Sequence, residues 1–353
     1  MGSGVRLAVV GATGAVGQEF LRLLEERRWK VAELRLLASQ RSAGQTLRFR
    51  GEPVKVEQAR PESFGGLDLA FFSAGASVSR ELAPHAVRRG AVVVDNSSAF
   101  RLEKEVPLVV PEVNLEDARS HQGIIANPNC TTIILCVALW PLHQHARLRR
   151  LVVSTYQAVS GAGARAMQEL VAELEAHLAG RPYTPQVLPY ASAPRHFPIA
   201  FNVIPQVDAF AEGGYTKEEW KVVHETRKIF HEPSLRITAT TVRVPVLRSH
   251  AESVNAEFEQ PLSAEQAREI LRGAPGVQVV DDPERQEYPM PLDVAGRDEV
   301  RVGRIREDFS QPQALNLWVV GDQIRKGAAL NALQIAEALG FGPDGQSHGG
   351  GSG

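Results

Sequence analysis

Val5-Arg6-Leu7-Ala8-Val9-Val10-Gly11-Ala12-Thr13-Gly14-Ala15-Val16-Gly17 carries an apolar run straight into three glycines. The run has the length and composition of a buried strand. Phe20, Leu21 and Leu24 then recur at helical spacing, so the glycines occupy a strand-to-helix turn. Such a turn offers bare backbone N–H groups at a helix N-terminus, where a pyrophosphate can sit, and it predicts a dinucleotide-binding fold. The second glycine is displaced by one from the usual G-x-G-x-x-G, and a turn that only packs helix on strand is the alternative reading. On the binding reading, Gly11, Ala12, Thr13, Gly14, Ala15 and Val16 are the cofactor contacts.

Working outward, strand patterns follow at 34–38, 69–73 and 91–95, with helical stretches between them, as at 79–89. Strands alternating with helices predict a mostly parallel sheet. The second strand ends in Ala38-Ser39-Gln40-Arg41-Ser42, where an NAD site usually places an acid for the ribose 2′-hydroxyl. Ser39, Arg41 and Ser42 suit a 2′-phosphate instead, which favours NADP; a solvated turn is the alternative.

The first domain is expected to span 1–129. Cys130 follows it, set in Asn127-Pro128-Asn129-Cys130-Thr131-Thr132 ahead of an apolar stretch that reads as a buried helix. Pro128 interrupts what precedes it and Asn129 suits a helix cap, so Cys130 falls in the first turn. There the unpaired N–H groups and helix dipole favour thiolate and can hold an oxyanion. Two readings stay open for this residue: nucleophile, or small buried hydrophobe. Cys136 lies on another helix face and reads as structural.

Beyond the cysteine, 151–157, 234–246, 252–260 and 314–320 read as strands, and 164–178 and 326–339 as helices, the last able to pack back on the first domain. Residues 181–198 hold five prolines in eighteen positions, a non-regular segment of functional or interfacial character. The fold class is thus α/β, a Rossmann-like N-terminal domain joined to an α+β domain over 130–325. His250 ends the strand-like run from Arg243 and is a candidate base among ten histidines. Thr216-Lys217-Glu218-Glu219 is a capping box that sets Glu218 and Lys221 on one helix face, by default an exposed salt-bridged helix start.

The bulk numbers suit two full-sized cores in a soluble globular protein: 353 residues, 43% hydrophobic, 23% charged, net charge −2. That balance gives no basic field for nucleic acid or membrane, and no apolar run reaches the ~18–20 residues of a membrane span. The opening residues show no charged-then-apolar leader, and two cysteines with no disulfide pattern suit a reducing cytoplasm. His143 and His145 point apart, and no zinc spacing occurs, so no metal site is expected. The Gly- and Ser-rich 342–353 tail is expected to be disordered.

Seven segments together resemble the aspartate-β-semialdehyde dehydrogenase family over nearly the whole chain. They are the 11–17 glycine turn, Asp95-Asn96-Ser97-Ser98-Ala99-Phe100-Arg101, the 127–132 cysteine segment, Tyr156-Gln157-Ala158-Val159-Ser160-Gly161-Ala162-Gly163, Glu218-Glu219-Trp220-Lys221, the 243–250 segment, and Gly321-Asp322-Gln323-Ile324-Arg325-Lys326-Gly327-Ala328. The resemblance implies NADPH-dependent reduction of L-aspartyl 4-phosphate to L-aspartate 4-semialdehyde, releasing phosphate, in lysine, threonine, methionine and diaminopimelate biosynthesis. It implies Cys130 as nucleophile, His250 as acid/base and Gln157 as the group positioning the reacting centre. Arg243 is implied for the substrate α-carboxylate, Glu218 for the ammonium, and Arg101, Lys221 and Asn129 for phosphate. Ser160, Gly161, Gly163 and Gln323 are implied at the nicotinamide end, and a homodimer or homotetramer is expected. Two rivals are an N-acetyl-glutamyl-phosphate reductase, whose substrate lacks the ammonium, and a non-catalytic NADP-binding protein on the same scaffold.

Overall fold

A computed structural model describes residues 4–343; of the tail expected to be disordered, 344–353 lie outside the described residues. The chain divides into two compact units: residues up to Asn129 together with those from Ala328 onward, and Cys130–Gly327.

In the first unit β1 (Val5–Val10), α1 (Ala15–Glu26) and β2 (Val31–Ala38) are followed by a hairpin, β3 (Thr46–Phe49) and β4 (Glu52–Gln58). Then come β5 (Leu69–Phe72), α2 (Ala76–Arg88), β6 (Val92–Asp95), the short α3 (Pro111–Asn114) and β7 (Ile124–Ala126). The sheet order is β3-β4-β2-β1-β5-β6-β7, parallel except for the β3 edge. β1 is apolar throughout apart from Arg6 because both its faces are covered, as a parallel strand requires. Leu7 and Val9 enter one cluster with Phe20, Leu24 and Trp29, while Ala8 and Val10 enter another with Phe72, Leu82 and Ala86. The first cluster is completed by Ala329, Leu333 and Ala336 from the chain's return. Arg27 and Trp29 both donate to Glu337.

The second unit runs through α4 (Cys130–Ala146), β8 (Leu148–Gln157), α5 (Ala164–Leu178), α6 (Lys217–Ile229), β9 (Arg236–Arg243) and β10 (His250–Phe258). α7 (Ala264–Arg272), β11 (Val277–Val279), α8 (Pro291–Val294), β12 (Val300–Glu307) and β13 (Ala314–Gly321) complete it. Its mixed sheet has the order β11-β12-β13-β10-β8-β9. α4 packs on four of these strands, and α6 and α7 pack beside it. By register, Val152, Ser154 and Tyr156 share the other face with Ser253, Asn255, Asn316 and Trp318. That face is partly exposed and carries hydroxyl, amide and aromatic groups without a central charge.

The helix expected over 326–339 divides into a wide π-helical segment, Arg325–Leu330, and α9 (Asn331–Ala338), which belongs to the first unit. The proline-rich segment is held down by α5. Glu169 accepts the N–H groups of Gln186, Val187 and Leu188, and Glu173 those of Ile199 and Ala200. Among the described residues no helix is long and apolar enough to cross a membrane.

Candidate active site

Strand pairing gathers the second unit's chemistry at one end of its strands. β8 and β9 run parallel and finish side by side at Gln157 and Arg243. β10 runs the other way and begins at His250, opposite Gly321 at the end of β13. Cys130 is the first residue of α4, half-buried, with Thr131 and Thr132 fully buried behind it. The Arg325–Leu330 segment approaches the cysteine so closely that a Cβ at Gly327 would lie 3.0 Å from Cys130 Cβ. Cys136 is fully buried, and burial pushes its thiol well up, which leaves it inert.

His250 is fully buried. Its Nδ1 accepts the Ala158 N–H at 3.1 Å, and its Nε2 has no protein hydrogen-bond partner. An acceptor at Nδ1 places the neutral ring's proton on Nε2. Burial, and next the Arg243 charge, push this imidazole down to about 3, so it is neutral at pH 7. Arg243 is 3% exposed; its Nη1 donates to the Ala158 carbonyl at 2.7 Å, and its Nε is buried with no protein partner. Burial pulls its pKa down, while the charges of Glu218 and Cys130 raise it, so each of these two lies within electrostatic reach of the guanidinium. A Cβ at Gly161 would meet Arg243 Nη1 at 2.8 Å and His250 Nε2 at 3.2 Å, so a side chain there would have to displace the guanidinium.

The Thr216 capping box forms as expected, but its helix start is buried rather than solvated. Glu218 is 5% exposed. It accepts from Gln157 Nε2 at 3.3 Å and pairs with Lys221 at 3.0 Å. Lys221 also pairs with Asp208 at 2.9 Å. Gln157 donates in addition to Thr131 Oγ1 at 2.9 Å, tying the first turn of α4 to Glu218. Ser160 is buried and bonded to Gln323, and Gly163 caps α5 at φ +90°.

In the first unit, Gly11 has φ +88°, and a Cβ there would lie 2.3 Å from the Ser73 carbonyl oxygen. A Cβ at Gly17 would lie 2.4 Å from the Gly11 carbonyl oxygen, so both glycines are required by close packing. Gly14 is the N-cap of α1, with no side-chain cap and no acid in the first turn. Ala12 is buried beneath the turn, while Thr13, Ala15 and Val16 are half-buried along it. Ser39 and Arg41 are exposed in the turn after β2, closed by Ser42 N–H to the Ser39 carbonyl at 2.9 Å. Arg101, 7% exposed, donates to the Asn127 and Asn96 carbonyls at 3.0 and 2.9 Å. Asn129 is buried just ahead of α4.

Ala158 lies within the 156–163 segment, but its part is played through the backbone alone, which no side-chain pattern signals. Asp208, at φ +67° in an irregular stretch, likewise falls in no motif, although a left-handed acid is a turn signal.

Residues 6–121 match the family description "Semialdehyde dehydrogenase, NAD binding domain", and 139–326 match "Semialdehyde dehydrogenase, dimerisation domain". The chain is 50% identical over 340 residues to the aspartate-semialdehyde dehydrogenase of Bacillus subtilis, covering 96% of this chain and 98% of that one. It is similar to the crystal structure of aspartate semialdehyde dehydrogenase II from Vibrio cholerae complexed with ASA, at TM-score 0.89 and 45% identity, covering 95% of this chain and 98% of that one. A Candida albicans aspartate semialdehyde dehydrogenase structure with NADP is similar at TM-score 0.73 and 27% identity, covering 96% and 99%.

Proposed function

The chain belongs to the aspartate-semialdehyde dehydrogenase family, and on that footing we propose that it reduces L-aspartyl 4-phosphate to L-aspartate 4-semialdehyde with NADPH through a thioester on Cys130. The observation that carries this reading is the presence of two buried opposite charges, Arg243 and Glu218, in electrostatic reach of each other, with Arg243 also in reach of Cys130. A substrate bearing both a carboxylate and an ammonium uses both charges, whereas an N-acetylated one would leave Glu218 buried against a neutral amide.

At the first turn of α4, Cys130 sulfur is favoured as thiolate and attacks the acyl carbon. The S–C bond forms, the C–O bond to phosphate breaks, and the negative charge passes through a carbonyl oxyanion. His250 takes the acid's part: its Nε2–H is set to donate to that oxyanion while Ala158 holds the ring. Arg243 grips the α-carboxylate through its free Nε edge, and Glu218 receives the ammonium. Lys221, steadied by Asp208, is assigned to phosphate. Gln157 keeps the cysteine's turn and Glu218 in fixed relation.

The glycine turn fits a dinucleotide, because the uncapped N-terminus of α1 leaves its N–H groups for a pyrophosphate. Arg41 with Ser39 and Ser42 favours the 2′-phosphate of NADP, in keeping with the Candida relative. NADPH, when bound, supplies the hydride that reduces the thioester carbon. Collapse of the resulting thiohemiacetal breaks the C–S bond and returns the thiolate.

A second copy of this chain is proposed to cover the open face of the second sheet, consistent with the dimerisation-domain match.

Phosphate-dependent NADP reduction with L-aspartate 4-semialdehyde, run beside the N-acetylated glutamate semialdehyde, tests the reading. Turnover of the first substrate is expected, and turnover of the acetylated aldehyde alone would overturn it.

A further inference from the structure

Two successive residues leaving β13 hold two successive residues entering β10. Asp322 binds Arg248 Nε at 2.6 Å and also accepts the N–H groups of Gly296, Ile324 and Arg325. Gln323 accepts the Ser249 N–H at 2.8 Å through Oε1, and its Nε2 donates to Ser160 Oγ. Gln323 is 3% exposed, so most of its polar capacity is spent inside the protein.

Ser249 needs such a hold. Its φ is +77°, in the left-handed region that disfavours any residue with a Cβ. Its own hydroxyl is buried without a protein partner and cannot steady it. The next residue is His250, and rotation about Ser249 φ would swing the imidazole away from the Ala158 N–H. Ser160, at the other end of the same amide, precedes Gly161, which abuts His250 and Arg243.

We propose that Gln323 is a positioning residue whose side-chain amide clamps the left-handed turn at Ser249 and so aims His250. The inference rests on the reading of His250 given above, and it assigns Gln323 an internal duty distinct from contact with the cofactor.

The test compares the full-length protein with Gln323→Leu, Gln323→Asn, and Gln323→Leu combined with Ser249→Gly. Asn keeps the polarity but is a methylene too short to span both partners, so it guards against simple misfolding of the Leu variant. Expected are a kcat loss of about 10- to 100-fold in Gln323→Leu, as for a displaced catalytic group, and a smaller loss in Gln323→Asn. Exchange of the Ser249 amide hydrogen should accelerate in both single variants. Adding Ser249→Gly, which tolerates positive φ, should restore several-fold of the lost kcat. A Kd for NADP weakened about tenfold or more with kcat retained would overturn the proposal in favour of a cofactor contact. Unchanged exchange at Ser249 in both single variants would overturn it as well. If the unmutated chain has no activity toward aspartate semialdehyde, the functional reading fails alone, and amide exchange still decides the clamp.

Discussion

The Ala158 N–H donates to His250 Nδ1 at 3.1 Å, and this one bond settles which nitrogen of the neutral imidazole carries the proton. The same residue's carbonyl takes Arg243 Nη1 at 2.7 Å. One backbone residue therefore orients both the proton-bearing edge of the histidine and the guanidinium proposed for the substrate carboxylate. A neutral ring so held is prepared to donate from Nε2; protonating Nδ1 would set two N–H groups against each other inside a buried site.

Cys130→Ala is expected to abolish turnover while leaving NADP affinity within about twofold, since the proposed mechanism puts the thioester on this sulfur and the glycine turn is untouched. Steady-state assay beside equilibrium cofactor titration checks this. Retained turnover would remove the cysteine from the mechanism and favour the binding-protein rival.

Arg243→Lys should raise KM for the aldehyde about 10- to 100-fold with little change in NADP affinity, because an ammonium cannot reproduce the guanidinium fork. Parallel losses in both affinities would argue against its assignment to the carboxylate.

Arg41→Ala should narrow the preference for NADP over NAD about tenfold, the order expected for one exposed charge-assisted hydrogen bond. The ratio of kcat/KM for the two cofactors is the measurement. An unchanged ratio would leave Ser39 and Ser42 to carry the phosphate.

Stability should fall in acid through His250. The unfolded ring protonates near 6.5 and the folded one only near 3, so between these values the unfolded state binds the extra proton. The contribution is whole above about pH 6.5 and drains by about 1.4 kcal/mol per unit as pH falls toward 3. Urea unfolding at pH 7 and pH 5 should show this slope, reduced in His250→Gln. Identical slopes in the two proteins would contradict it.

Glu252 works the other way. It is fully buried with neither carboxyl oxygen hydrogen-bonded, and burial raises its pKa well above the ordinary value. The folded state keeps a proton that the unfolded state releases, so this group's contribution is whole below the ordinary carboxyl range and drains as pH rises. Glu252→Gln should stabilise the fold at pH 8 more than at pH 6, read as the difference in Tm; an equal shift at both would count against a protonated Glu252.

Local chemistry was readable where it alone decides structure. The β1 run, the glycine turn, the start of α4 at Cys130 and the amphipathic span of α5 follow from neighbours within a few positions. The β3–β4 hairpin was not readable, since its strands are polar and half exposed, with Pro53 inside one of them. β12 was hidden by Gly303, a position where a Cβ would lie 2.2 Å from the Val280 carbonyl oxygen. The 326–339 helix began wide because Gly327 passes against Cys130, a tertiary contact with no sequence period. Glu169 and Glu173 look like solvent positions of α5, yet they are buried to receive backbone N–H groups from the proline-rich segment. The candidate site was legible as a set of residue types, but the clamps on it use Ala158, Asp208 and Ser249, whose parts depend on the folded backbone.

The two-segment make-up of the first unit has a consequence for the order of synthesis. Every residue of the Cys130–Gly327 unit leaves the ribosome before Ala329, Leu333 and Ala336, which complete the cluster around Phe20 and Trp29. The nascent chain thus carries an unfinished nucleotide-binding half through the whole synthesis of the half that holds the cysteine. Only when Glu337 reaches Arg27 and Trp29 is the older half sealed, so the part made first is the part finished last.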